Sequence, residues 1–154
     1  MMNLKKSSTL FSEKPAIAIP NWIGYSFAVF SFAGFVDAAY LSVKYYLGSK
    51  VGCALLGGCE IVTSSKFADV AGVPIALPGA AYYLLVFLIS IYYLDSANKN
   101  ALIAAGLLST AGFLISLVLL YIQIFALGAL CLYCLASLAT STLLFINSLF
   151  LLRS

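Results

Sequence analysis

Residues 101–152 read ALIAAGLLSTAGFLISLVLLYIQIFALGALCLYCLASLATSTLLFINSLFLL, and no charged side chain interrupts them. As one helix this run would be about 78 Å long at ~1.5 Å per residue, against a hydrocarbon core of about 30 Å. It has to fold back once. The turn falls at Ala126–Leu127–Gly128, because Gly128 is the residue there whose backbone is least restricted. Two membrane spans follow, near 101–125 and 129–152. Small residues at Gly106, Ser109, Ala111 and Gly112 let the first of them approach its neighbours closely.

Composition extends this reading to the whole chain. Of 154 residues, 64% are hydrophobic and 8% charged, with mean hydropathy +1.09. A soluble domain carries roughly 25% charged residues, so lipid is the solvent for most of this one. Lipid admits helices or a closed barrel. A barrel reads as alternating segments of about ten residues, whereas these apolar runs are continuous.

Upstream, Trp22 to Leu47 forms a retained first span with Trp22 as interfacial anchor, and Pro78 to Leu94 a second, extendable by 73–77. Residues 48–77 form a glycine- and proline-punctuated loop in which Glu60 to Ala71 makes a short surface helix. Asp95 to Asn100 is a tight polar turn. The predicted fold is all-α: an integral membrane four-helix bundle with an outward-facing loop containing that helix. Residues 1–20 are a cytoplasmic tail and 21–154 the four-span domain. Four spans put both termini on one side with Lys5, Lys6, Lys14, Lys99 and Arg153, against Lys44, Lys50 and Lys66 on the other. Positive charge favours the cytoplasmic side, so the 48–77 loop and the turn near 128 face outward.

Net charge is +3 without a basic cluster, which gives no footing for nucleic acid. Histidine is absent, and with it ordinary haem ligation, His-containing zinc sites and His-based acid–base catalysis. Four cysteines remain, all on the outward side. Cys131 and Cys134 stand at i and i+3 at the start of the last span, on one helix face. The helix dipole there favours a thiolate. A bridge over so short a separation closes almost no loop, which suits a reactive pair better than a staple. Cys53 and Cys59 flank the glycine-rich segment of the outer loop. Read alone, the first pair is equally two apolar core residues and the second equally a structural disulfide. Together they make a thiol relay, the loop pair meeting a soluble partner and the helix pair a ligand dissolved in lipid. Such exchange needs a thiolate to attack a disulfide sulfur.

Among other polar residues, Gln123 lies near the outer end of the third span, within reach of such a ligand. Asp37 in the first span reads as a functional group or, within two turns of Lys44, as a snorkelling or capping residue inside the bundle. Tyr82, Tyr83, Tyr92 and Tyr93 read as interfacial belts, and Glu60 as a solvated loop charge.

The ordered set Cys53…Cys59, Ser64-Ser65, Gly72-Val73-Pro74, Pro78-Gly79 and Cys131-Leu132-Tyr133-Cys134 resembles the vitamin K epoxide reductase family, from Tyr25 to the C-terminus. The resemblance implies a four-helix bundle around a quinone pocket, the quinone being menaquinone, ubiquinone or a vitamin K-like molecule. It implies that Cys53 exchanges with a thioredoxin-fold partner, that Cys59 attacks Cys131, and that the Cys134 thiolate then faces the quinone. Ser65 matches a loop serine associated with the quinone site. Many bacterial members carry a fused thioredoxin-like domain; with Ser154 at the end of this sequence the partner is expected in trans. The tyrosine four residues beyond the C-x-x-C in animal enzymes is Leu138 here, which favours a bacterial or archaeal quinone reductase in the plasma membrane over a eukaryotic-type vitamin K epoxide reductase. The absence of an ER-type C-terminal retrieval signal points the same way. The competing readings are a four-thiolate metal-binding membrane protein, which requires both pairs to converge permanently, and an assembly protein with incidental cysteines.

Overall fold

The computed structural model describes residues 19–53, 55 and 57–153. Most of the expected N-terminal tail, with Lys5, Lys6 and Lys14, lies outside the described residues. The chain forms α1 (Asn21–Tyr46), α2 (Cys59–Thr63), β1 (Asp69–Val70), β2 (Val73–Pro74), α3 (Ala76–Ser96), α4 (Lys99–Tyr121), a π-helical turn (Ile122–Leu127) and α5 (Leu132–Arg153). Four helices are long and apolar enough to cross a membrane: Asn21–Tyr46, Ala76–Ser96, Lys99–Leu127 and Leu132–Arg153. The all-α four-span bundle is thus observed, with a two-stranded hairpin as its only sheet among the described residues.

Helix α1 packs mainly on α3 and also on α5, while α4 packs on α5 and α3. Phe27, Val86, Leu102, Ala105 and Leu144 are buried between them, and large apolar side chains such as Val29, Leu88, Leu107 and Ile115 point outward. Serines buried in the bundle satisfy their own hydroxyls. Ser42, Ser90 and Ser109 donate to the carbonyls of Ala38, Val86 and Ala105, one turn back, at 2.7–2.8 Å. That bond removes the need for an interhelical partner in lipid.

The fold-back lies where the apolar run predicted it. Gly128 has φ +60°, a left-handed conformation that side chains with a Cβ resist. Just before it the helix widens into the π-helical turn, whose i→i+5 spacing accommodates one extra residue.

Two expectations are corrected. The loop helix spans Cys59–Thr63 and not Glu60–Ala71. Thr63 donates its hydroxyl to the Cys59 carbonyl at 2.7 Å and Ser65 donates to Val62 at 2.8 Å, drawing the backbone into turns. Downstream, Asp69 accepts from the Gly72 N–H at 3.2 Å and closes the hairpin. The tyrosine belt is also only partial: Tyr92 is exposed, but Tyr83 and Tyr93 are buried. The Tyr83 ring lies against Gly34 of α1, where no side chain intervenes.

Candidate active site

Cys131 sits in the link between Gly128 and α5, fully buried, and its N–H donates to the Gln123 side-chain oxygen at 3.1 Å. A glutamine inside the π-helical turn thus caps the entry to α5. Cys134 lies one turn further on, hydrogen-bonded to Cys131 and within reach of the Gln123 side chain. The Cys134 thiol first, and then the backbone N–H groups of Cys134 and Tyr133, hold the Cys131 thiol down to about 6, against the opposing effect of burial. A thiol so held is largely thiolate at neutral pH.

The loop pair comes to the same place. Cys53 and Cys59 are joined in a disulfide with Cα atoms 5.7 Å apart, while Cys131 and Cys134 are free thiols. Cys59 opens α2 and is fully buried. Its sulfur accepts a hydrogen bond from the Leu132 N–H at 3.3 Å, next in the chain to Cys131. The approach depends on Gly58, which lies directly against the Leu130 backbone where a Cβ would collide. Val51, Cys59, Val62 and Cys131 form one buried cluster, so the loop is packed onto the start of α5.

Beyond this cluster a cavity of about 840 Å³ opens between α1, α3, α4, α5 and the loop. Cys134 is the one cysteine among the described residues that lines it. Ser65, Gln123, Asp37, Tyr82 and Phe67 line it too. Ser65 spends its hydroxyl hydrogen on Val62 and keeps its lone pairs for a donor. Gln123 lines the cavity as expected, yet its oxygen is already committed to Cys131. It holds the Cys131 backbone as well as lining the cavity. A largely apolar chamber with a few polar groups, including a thiol, fits a lipid-soluble ring compound such as a quinone.

Glu60 is not a lone loop charge: it pairs with Lys50 at 2.9 Å, both exposed, beside the cavity. Lys44 does not pair with Asp37 either, its ammonium standing 5.7 Å from the centre of the Tyr40 ring.

One set of polar residues escaped the sequence reading. The Tyr83 hydroxyl lies 2.7–3.1 Å from the Ser137 hydroxyl and carbonyl, the Thr140 hydroxyl and the Ser141 hydroxyl. Ser116 adds a bond from α4 to Ser141 at 3.1 Å. The available signal was the i, i+4 spacing of Ser137 and Ser141 in an apolar run, one turn below Cys134.

The disulfide leaves two free thiols, and among the described residues no group of three or more Cys, Asp or Glu is gathered to hold a metal. Residues 25–149 match the model of the Vitamin K epoxide reductase family. No curated protein matches the chain.

Proposed function

The chain belongs to the vitamin K epoxide reductase family, whose members are membrane oxidoreductases that use quinones, and from that premise we propose that it oxidises a thioredoxin-fold dithiol protein and reduces a membrane quinone. The observation that carries the proposal is the linear order of the sulfurs. Cys53 is bonded to Cys59, Cys59 accepts from the residue after Cys131, and Cys134 faces the cavity.

Each transfer has a donor and an acceptor in that order. A partner thiolate attacks Cys53; the partner leaves as a disulfide and the Cys53–Cys59 bond is reduced. The Cys59 thiolate then attacks Cys131 of an oxidised helix pair and expels Cys134 as thiolate. Cys53 gives up its proton, which Cys134 takes, closes back onto Cys59 and releases Cys131 as thiolate, so the electron pair now stands on Cys131 and Cys134. The observed arrangement of one loop disulfide and two free helix thiols corresponds to this stage. The quinone supplies a two-electron acceptor, and closing the Cys131–Cys134 bridge discharges the electrons into it.

The protein's part is proximity. Gln123 holds the Cys131 backbone, the Cys134 thiol and then the N–H groups at the helix terminus favour the Cys131 thiolate, and the packed loop keeps water from the sulfurs. A low thiol pKa also makes Cys131 a good leaving sulfur when Cys53 resolves the bridge. In the proposed scheme the loop face is outside the cytoplasm, both termini are inside, and the protein resides in the plasma membrane. Lys44, Lys50 and Lys66 are few enough to permit that orientation.

The test is steady-state quinone reduction by the purified protein, with a reduced thioredoxin-fold protein as donor. Wild type is expected to turn over, and each Cys→Ser variant at 53, 59, 131 or 134 to lose at least about 100-fold, since every sulfur carries an obligatory exchange. Turnover unchanged by any one of the four replacements contradicts the scheme.

A further inference from the structure

The reaction as written lacks a proton. Reducing a quinone to a quinol takes up two electrons and two protons. Closing the Cys131–Cys134 bridge yields two electrons, but with Cys131 as thiolate only Cys134 brings a proton. One more has to reach a quinone oxygen inside the bundle, and the chain has no histidine.

Asp37 stands in the middle of α1, nine residues before its end. It lines the cavity together with Cys134 and Gln123. Its Oδ2 is buried and has no hydrogen-bond partner among the described residues. It lies close enough to Cys131 and Cys134 for the charges to interact. The cation on its own helix, Lys44, stands over the Tyr40 ring. A carboxyl inside a span that faces a cavity without an ion-pair partner is suited to relay protons in lipid. The neighbouring hydroxyls of Tyr83, Ser137 and Ser141 are bonded to one another. They are far weaker acids than a carboxyl.

We propose that Asp37 is the proton donor for quinone reduction. Its carboxyl O–H gives the proton to a quinone oxygen as the Cys131–Cys134 disulfide closes, and the carboxylate left behind is re-protonated by water. The route is the cavity itself, which runs to the loop at Gly48, Ser49 and Lys50, all exposed. The balance is then one thiolate, one thiol, one carboxylic acid and one quinone giving one disulfide, one carboxylate and one quinol. This inference rests on the quinone-reductase reading.

The test uses full-length protein with a soluble short-chain quinone and compares wild type, Asp37→Asn and Asp37→Glu. Asp37→Asn is expected to lower kcat about 100-fold, as loss of a positioned general acid does, with KM for the quinone changed less than about threefold. Asp37→Glu should recover most of kcat. Exchange between the loop and helix pairs, followed by alkylation in the absence of quinone, should proceed in both variants as in wild type. Difference infrared spectra of a single turnover should show loss of a carboxylic-acid C=O band in wild type and none in Asp37→Asn. Wild-type kcat in Asp37→Asn overturns the inference, and so does equal loss of disulfide exchange, which marks a structural role. A wild type that exchanges disulfides but reduces no quinone sinks the quinone reading itself, and this inference with it.

Discussion

At the level of single residues, the chemistry is concentrated in how Cys131 and Cys134 differ. Three apart in sequence, they have different surroundings: Cys131 is buried beneath Cys59 and at the N–H-rich end of a helix, whereas Cys134 faces the cavity. The chief support for the Cys131 thiolate is the Cys134 thiol, so the two are one functional unit. With its value near 6, Cys131 is thiolate above that pH and thiol below it. Ultraviolet thiolate absorbance of the reduced Cys53→Ser/Cys59→Ser protein should therefore rise by one equivalent through about pH 6. Adding Cys134→Ala removes the main donor, and the rise should move to higher pH. An unmoved titration would show that the helix terminus alone holds the thiolate.

That the cysteines are the candidate redox groups was legible from their spacing, because few other residues in a histidine-free apolar chain can exchange electrons, and the structure brings the two pairs together. The role of Gln123 was only half legible. Its place on the cavity wall follows from its position along the span, but its bond to the Cys131 N–H depends on the π-helical turn, which no periodicity in 101–125 announces. Asp37 was visible as an intramembrane acid, while its freedom from Lys44 was not: both lie on one helix seven residues apart, and side-chain direction decides the matter.

At the scale of elements, the loop is held by shape. Gly58 allows α2 to rest on the Leu130 backbone, which brings the Cys59 sulfur to the start of α5. Replacing Gly58 with Ala puts a methyl group into that backbone, and rigid peptide atoms cannot yield as a side-chain tip does. Gly58→Ala should slow loop-to-helix disulfide exchange about tenfold or more, measured by quenched alkylation. Quinone reduction from a chemically pre-reduced Cys131–Cys134 pair should be unaffected. Equal slowing of both half-reactions would place the fault in the bundle and not in the contact.

The spans were legible because continuous apolar sequence has one solution in lipid, and their observed ends fall within a few residues of those expected. The loop was less so. Thr63, Ser64 and Ser65 follow a stretch that suits a helix, and their hydroxyls turn the backbone instead. The Tyr83 pattern failed for a related reason. A tyrosine suits an interface and a buried hydroxyl site equally well, and the second requires Ser137, Thr140 and Ser141 from a helix more than 50 residues away. Such bonds average only about 0.6 kcal/mol in a bilayer. Their value here lies in fixing the register of α3 against α5, beside the cavity wall.

For the molecule as a whole, the proposed reaction divides into an aqueous half and a lipid half. Four helices surround the cavity, and the loop with the Cys53–Cys59 pair packs at its mouth, where in the proposed scheme a soluble protein thiol meets it. Cys53 is half-buried and Cys59 fully buried, which suits the proposed order, in which a partner meets Cys53 first and Cys59 is kept for Cys131. In the proposed scheme electrons pass from the loop pair through Cys59 to Cys131. The most direct measurement is the disulfide trapped in membranes from cells producing Cys134→Ser, mapped by alkylation and mass spectrometry of the linked peptides. In Cys134→Ser the Cys131 thiolate can attack the loop disulfide at Cys59 and expel Cys53, and no Cys134 thiol is left to carry the exchange on to a helix disulfide, so a Cys59–Cys131 bridge should accumulate. Finding Cys131 bound only to Cys53, or never bound to the loop, would contradict the account.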